Sequence, residues 1–179
     1  MTDDTLLVAR VVASQDTGAY GELIRRHQSQ IRNFLRRLTR DDALADDLSQ
    51  DTFLHGWNKI HTYSGKGSFI GWLLKVAYTT FLQSKRKTDR YQEVLVEVGE
   101  SGGSVSYATH SDEATDLDRF MAVLNGQERA VMVLSYACGL SHREISETTD
   151  LPAGTVKSII HRAKDKIREQ FDIQHHQHG

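Results

Sequence analysis

The apolar residues of this chain recur at spacings of three and four, the period of a helix buried on one side. Thr5 to Ser14 is a short apolar helix candidate, ended by Asp16, Thr17 and Gly18. Tyr20, Leu23, Ile24, His27, Ile31, Phe34, Leu35 and Leu38 then form one stripe, with Arg25, Arg26, Arg32, Arg36 and Arg37 off it. The stripe predicts a long amphipathic helix, a solvated arginine face and a core histidine at position 27. A third helix runs from about Asp42 to Asn58. Its Leu44 and Leu48 point away from Phe53 and Trp57, so it is expected to be buried on two sides. Between those sides lies a strip of Asp47, Gln50, Asp51 and Leu54. Helix-dipole attraction accounts for Asp41 and Asp42 at the helix start, but poorly for Gln50 and Asp51. Carboxylates flanking an apolar residue suggest a partner surface.

Tyr63-Ser64-Gly65-Lys66-Gly67-Ser68 reads as a tight or flexible connection. It lacks the spacing of a phosphate-binding P-loop. Ser68 is a candidate cap for a fourth helix that carries Phe69, Trp72, Leu73 and Val76 inward and ends in Lys85-Arg86-Lys87. Lys75, Tyr78 and Arg86 fall off that stripe. Aromatic and basic side chains together suit single-stranded nucleic acid, where bases stack and phosphates pair.

Residues 91–114 are rich in Glu, Gly and Ser and contain no Lys or Arg, the composition of a linker. Helical periodicity returns at Asp116 with Leu117, Phe120, Met121 and Leu124, pauses at Asn125-Gly126, and resumes from Gln127 to Cys138. Ser141 and Glu144 then stand at the spacing of a capping box. Asp150, Leu151 and Pro152 end that short helix, and proline is tolerated only at the start of the next one. Two helices joined by such a turn make a helix-turn-helix. In the second, Val156, Ile159, Ile160, Ala163, Ile167 and Phe171 share one arc, while Lys157, Ser158, His161, Arg162 and Arg168 face the other way. The polar arc suits a major groove, and its plain alternative is a solvated helix face. The chain ends in a histidine-containing tail, 173–179, expected to be disordered. Weak metal binding there is the lesser reading.

Composition narrows the class. The hydrophobic fraction is 39%, there is one proline, and β-branched runs are few, so the expected fold is all-α. The expected organisation is two helical domains (1–90 and 115–172) joined by a flexible acidic linker. A single cysteine, Cys138, excludes internal disulfides and thiolate zinc clusters and is expected to be a buried structural thiol. No apolar run reaches the roughly 18 residues of a membrane span, and the acidic start lacks a signal peptide's positive region. A soluble, cytoplasmic protein is expected. The net charge of −2 hides segregation. Residues 1–90 carry 14 Lys and Arg against 10 Asp and Glu, and residues 153–171 carry five against two. No Ser/His/Asp set, carboxylate pair or metal cluster suggests catalysis, and no cofactor is implied.

Three motifs in this order resemble the bacterial RNA polymerase sigma factors of the extracytoplasmic-function group: Asp46 to Trp57 (D-D-L-S-Q-D-T-F-L-H-G-W), Tyr63 to Leu73 (Y-S-G-K-G-S-F-I-G-W-L) and Leu140 to Ser158 (L-S-H-R-E-I-S-E-T-T-D-L-P-A-G-T-V-K-S). With their spacing they cover nearly the whole chain. The resemblance implies sigma domains 2 and 4, and a non-catalytic subunit that directs promoter-specific initiation. By the same resemblance Asp47, Gln50, Asp51, Leu54 and Trp57 would contact core RNA polymerase. Tyr63, Ser64, Lys66, Ser68, Lys75, Tyr78 and Arg86 would hold the melted −10 strand. Arg143, Thr155, Lys157, Ser158, His161 and Arg162 would read the −35 duplex. It also implies promoter DNA and an anti-sigma factor as partners, the latter often at the inner membrane. Two alternatives stand beside it: a stand-alone helix-turn-helix regulator, which leaves the acidic strip and the Tyr63 loop idle, and a degenerate sigma-like protein that binds polymerase but opens promoters poorly.

Overall fold

A computed structural model describes the backbone of residues 3–97 and 116–177, and the side chains of 3–90 and 119–170. Its described residues form helices and one 3₁₀ turn: α1 (Asp4–Ser14), α2 (Thr17–Thr39), α3 (Asp42–Lys59), the 3₁₀ turn Ile60–Thr62, α4 (Phe69–Glu97), α5 (Asp116–Ala122), α6 (Gly126–Tyr136), α7 (His142–Thr149) and α8 (Ala153–Gln177).

Local chemistry sets the helix ends. Asp16 caps α2 by accepting from the Ala19 amide at 2.9 Å, and Asp41 caps α3 by accepting from Leu44 at the same distance. The helices α1 and α2 both exit through a left-handed residue, Gln15 and Arg40. In the second half, capping boxes open α6 (Asn125 with Glu128) and α7 (Ser141 with Glu144). Each satisfies two amides that a helix start leaves orphaned. Asp150 ends α7 in the left-handed conformation, and Pro152 precedes α8, as its spacing in the sequence predicts.

The stripe of α2 forms the centre of the first half. Leu23, Ile31, Phe34 and Leu35 are fully buried, and α1, α3 and α4 all pack on this helix. His27 is largely buried, as expected, with Nε2 2.8 Å from a carboxylate oxygen of Asp4 and its ring against Phe69. The helix α3 lays Ala45, Leu48, Ser49, Thr52 and Gly56 inward. Leu44, Phe53 and Trp57 flank that face half-buried, consistent with a helix held on two sides. At Gly56 an ideal Cβ would lie 2.8 Å from the Tyr20 hydroxyl, which donates to the Phe53 carbonyl. Glycine is what lets Tyr20 cross α3 here.

Val131, Val133, Leu134, Ile145, Val156, Ile159 and Ala163 build the core of the second half. The two halves also meet directly. Helix α2 lies against α6, α4 lies against α7, and the buried apolar residues form one continuous cluster. The guanidinium of Arg129 on α6 spans this seam. It donates to the carbonyls of Leu38 at the end of α2, of Met121 in the last turn of α5 and of Leu124 just beyond it, so one half-buried cation serves the C-terminal ends of two helices.

Two sequence expectations need correction. Helix α4 does not stop at Lys87 but continues to Glu97, taking the first seven residues of the expected linker. The rest of that linker, 98–114, lies outside the described residues. The expected disordered tail is helical as far as Gln177, because α8 continues without a break past Phe171.

Candidate polymerase and nucleic-acid interfaces

The acidic strip is a consequence of how α3 is buried. Once its inner face is spent on the core, Asp47, Gln50, Asp51 and Leu54 are left on the outside. Leu54 is 64% exposed, an uncommon position for a leucine in a well-packed helix. Among the described residues neither Asp47 nor Asp51 has an ion-pair partner, unlike Asp46 beside them, which is bonded by Arg32. Trp57 belongs less to this surface than expected. It is half-buried, with its ring edge-on to Tyr20 at 5.1 Å.

The Tyr63–Ser68 connection is a built loop. Gly65 and Gly67 both have φ near +75°, where a side chain would be strained. Between them they fold the loop back so that the Tyr63 hydroxyl donates to the Gly67 carbonyl at 2.8 Å. Ser68 then caps α4, its hydroxyl accepting from the Gly71 amide. The rings of Tyr63, Phe69 and Trp72 lie within 6.0 Å of one another, with Phe69 and Trp72 stacked. Ser64, Lys66 and Ser68 are exposed around this half-open aromatic wall, and the adjoining cleft holds about 230 Å³.

Lys75 lies on that cleft, one turn beyond Trp72, but its ammonium is engaged. It donates to the Glu147 carbonyl at 2.7 Å and to an Asp150 carboxylate oxygen at 3.0 Å. Arg86 is exposed farther along α4. Tyr78, expected off the buried stripe, is only 7% exposed and stacks on Phe81. Burial pushes its phenol pKa up, and the ring is closed to a stacking base in this arrangement. Helix α4 has α2, α3 and α7 as neighbours, so it buries more than the single stripe that its sequence suggests.

The helix-turn-helix is bare by contrast. Thr155, Lys157, Ser158, His161 and Arg162 are all exposed on α8, and Arg143 on α7 beside them is exposed too. Their restraints are local. His161 Nδ1 is 2.9 Å from Asp165, and Arg143 bonds Glu147 one turn along. The opposite face is packed, with Val156, Ile159 and Ala163 at most 1% exposed. The Ser141–Glu144 box holds the Glu144 carboxyl below its usual range through bonds from the Ser141 hydroxyl and amide. The turn is tied by the Ser146 hydroxyl, which donates to the Leu151 carbonyl.

One supporting element escaped the sequence reading. Glu128 closes its capping box and also receives Lys166 of α8 at 2.7 and 2.9 Å. Burial raises its pKa, but the bonds from Lys166 and Asn125 and the nearby positive charges outweigh that and leave it lowered. The N-G-Q-E spacing, read only as a break, carries the local sign of the cap; the partner thirty-eight residues away gave none. Cys138, expected to be buried, is half-buried, and burial pushes its thiol up to about 11, far from the reactive range. Among the described residues no cluster of potential ligands is arranged for a metal ion, and no helix is long and apolar enough to cross a membrane.

Comparison with known proteins agrees with this arrangement. The profile of sigma-70 region 2 matches residues 23–91, and that of sigma-70 region 4 matches residues 114–167. Among curated relatives, the sigma factor CarQ of Myxococcus xanthus is 30% identical over 84% of this chain and 88% of its own length. The extracytoplasmic-function sigma factor RpoE of Cereibacter sphaeroides is 26% identical over 95% and 96%. The sigma factor SigE of Mycolicibacterium smegmatis is 31% identical, and this chain spans 61% of that longer protein. In fold, the chain is similar to RpoE of Bartonella quintana, solved with the anti-sigma factor NepR, at a TM-score of 0.69 and 24% identity over 86% of this chain and 97% of that one. It is equally similar to CnrH, solved with the cytosolic domain of CnrY, at 0.69 and 22% identity over 95% and 97%. The chain belongs to the RNA polymerase sigma factors, in their extracytoplasmic-function group.

Proposed function

We propose that this protein joins core RNA polymerase through the outer strip of α3, reads −35 DNA as duplex with α8, and captures melted −10 DNA at the Tyr63–Ser68 loop. Membership of the sigma factors supports the overall role of directing promoter-specific initiation without catalysis of its own. The residue assignments rest on exposure. The strip on α3 is the observation that carries them, since Asp47 and Asp51 are exposed without ion-pair partners among the described residues, beside an exposed leucine and in the middle of a helix whose opposite face is buried. A stand-alone operator binder has no use for that strip.

Each surface suits its task. Lys157 and Arg162 stand free to meet phosphates and base edges, where a good bidentate pair discriminates by about 1–3 kcal/mol. The aromatic wall beside exposed hydroxyls suits a base drawn from the duplex, whose unstacking costs a few kcal/mol that a fitted pocket offsets. The modest charge of α8 fits a reader that selects while polymerase supplies most of the affinity. Cytoplasmic action follows from the role. An anti-sigma partner is supported by the two similar folds, both solved with bound partners.

The test is association. Wild-type protein should co-elute with purified core polymerase, and Asp51→Arg should lose at least a hundredfold in affinity while keeping its helical circular dichroism and melting temperature. Unchanged co-elution of the variant would remove the strip from the interface.

A further inference from the structure

Where α2, α3, α4 and α6 meet there is a cavity of about 130 Å³, and none of the residues lining it belongs to the three surfaces assigned above. Part of its wall is apolar, made by Leu38, Leu44, Leu48 and Phe81. Ser84 and Lys85 of α4, with Gly126 and Arg129 at the start of α6, supply polar and cationic groups. Among the described residues no acidic side chain lines it.

The two cations lack a counter-charge. A Cβ built on Gly126 would lie 3.7 Å from the Lys85 ammonium, so that ammonium stands over the N-terminal end of α6. This end is the positive pole of the helix dipole, where a cation is disfavoured and an anion favoured. Among the described residues Lys85 has no hydrogen-bond or ion-pair partner. Arg129 donates to three carbonyls and keeps N–H groups to spare. Its burial and the charge of nearby Arg40 lower its pKa, so it too would gain from a negative neighbour. Glu128 does not fill that place, because its carboxylate is taken by Lys166 and the Asn125 amide.

From this geometry we propose that the cavity is a binding site for a small phosphate monoester whose organic part is no larger than one aromatic ring. The head group follows from the charges. A phosphate monoester carries about −1.5 to −2 at neutral pH, which matches two cations at a helix start. The body follows from the volume, since an apolar cavity of about 150 Å³ holds benzene. Leu44 and Phe81 are only half-buried, so the ring would cover apolar surface that now meets water. The ligand would touch α6 together with α2, α3 and α4, so its binding should raise the melting temperature of the chain.

The test uses the full chain at about 0.15 M salt, which screens binding to exposed lysines and arginines. Phenyl phosphate is the probe, and calorimetric titration should give a dissociation constant of about 0.1–1 mM. Benzoate should bind at least threefold more weakly, and inorganic phosphate and benzyl alcohol at least tenfold. Lys85→Gln should weaken phenyl phosphate at least fivefold. Lys87→Gln removes the same charge from an exposed position outside the cavity and should change binding less than twofold. In wild type the amide resonances of Phe81 and Gly126 should shift on titration. No binding of phenyl phosphate up to about 10 mM, equal weakening by both variants, or no shift at Gly126 overturns the site. Binding of inorganic phosphate or benzoate as tight as that of phenyl phosphate overturns the assigned ligand class.

Discussion

The two proposed nucleic-acid faces are made differently. On α8 the reading side chains are displayed from one rigid helix whose other face is sealed by Val156, Ile159 and Ala163. Among the described residues nothing covers them. At the Tyr63 loop, the recognition surface is a wall of rings and hydroxyls assembled from a connection and a helix start, and another helix of the same chain lies across it. The contrast follows from the state of the ligand. Duplex DNA presents its groove to any fitting helix. A strand must first be unpaired, and a pocket for an extruded base has to be concave and desolvated. A concave apolar surface left open in the free protein would also be sticky.

That contrast can be broken on either side. The largest effect is expected on α8: Lys157→Ala/Arg162→Ala should reduce transcription from −35-dependent promoters by about 30- to 20,000-fold, as two lost contacts of about 1–3 kcal/mol each imply. Run-off transcription checks this, and an undiminished yield would move the reading face elsewhere. Next comes Tyr63→Ala. It should cost about 1–3 kcal/mol of stability by removing two ring contacts and the bond to Gly67, and should impair promoter opening while leaving −35 binding intact. Thermal melts and permanganate footprinting report on the two effects separately. Gly67→Ala is a milder probe of the same loop, since a side chain at φ +78° costs about 1–2 kcal/mol. It should lower melting temperature by a few degrees and slow opening, whereas Gly154→Ala, on a helix with open space at that position, should not destabilise the fold.

The smallest effect concerns support for α8. Glu128 and Glu144 both have lowered carboxyl pKa values, so their contribution is present above pH 4.5, the ordinary value, and is lost as pH falls through the folded values. Glu128→Gln should flatten the acid limb of the stability curve and weaken the link to Lys166, by about 1 kcal/mol at neutral pH. Denaturant titrations from pH 3 to 7 measure it. An unchanged acid limb would mean that the carboxylate is not what ties α6 to α8.

Much of this architecture was legible in the sequence because it is local. The stripe of α2, the Ser141–Glu144 box and the Asp150–Pro152 break each need only a few neighbouring residues. The exposed strip of α3 and the polar face of α8 were legible for the same reason, since each is what remains after one helix has buried its core side. What was missed depends on residues far apart in the chain. Tyr78 looked free because α4 was treated as a helix with one buried stripe, yet three helices pack against it. Lys75 looked available because Asp150 is seventy-five residues away. The pairing of Glu128 with Lys166, and of Arg129 with the end of α2, left no periodic trace for the same reason.

The most direct test of the account is transcription in vitro with purified core polymerase, with and without this chain, on a genomic promoter library followed by scrambling of the upstream element in the templates found. The account predicts transcripts that require the chain, start at a fixed distance from two spaced elements, and disappear when the upstream one is scrambled. Transcription that does not depend on the chain, or equal yields from intact and scrambled templates, would contradict it.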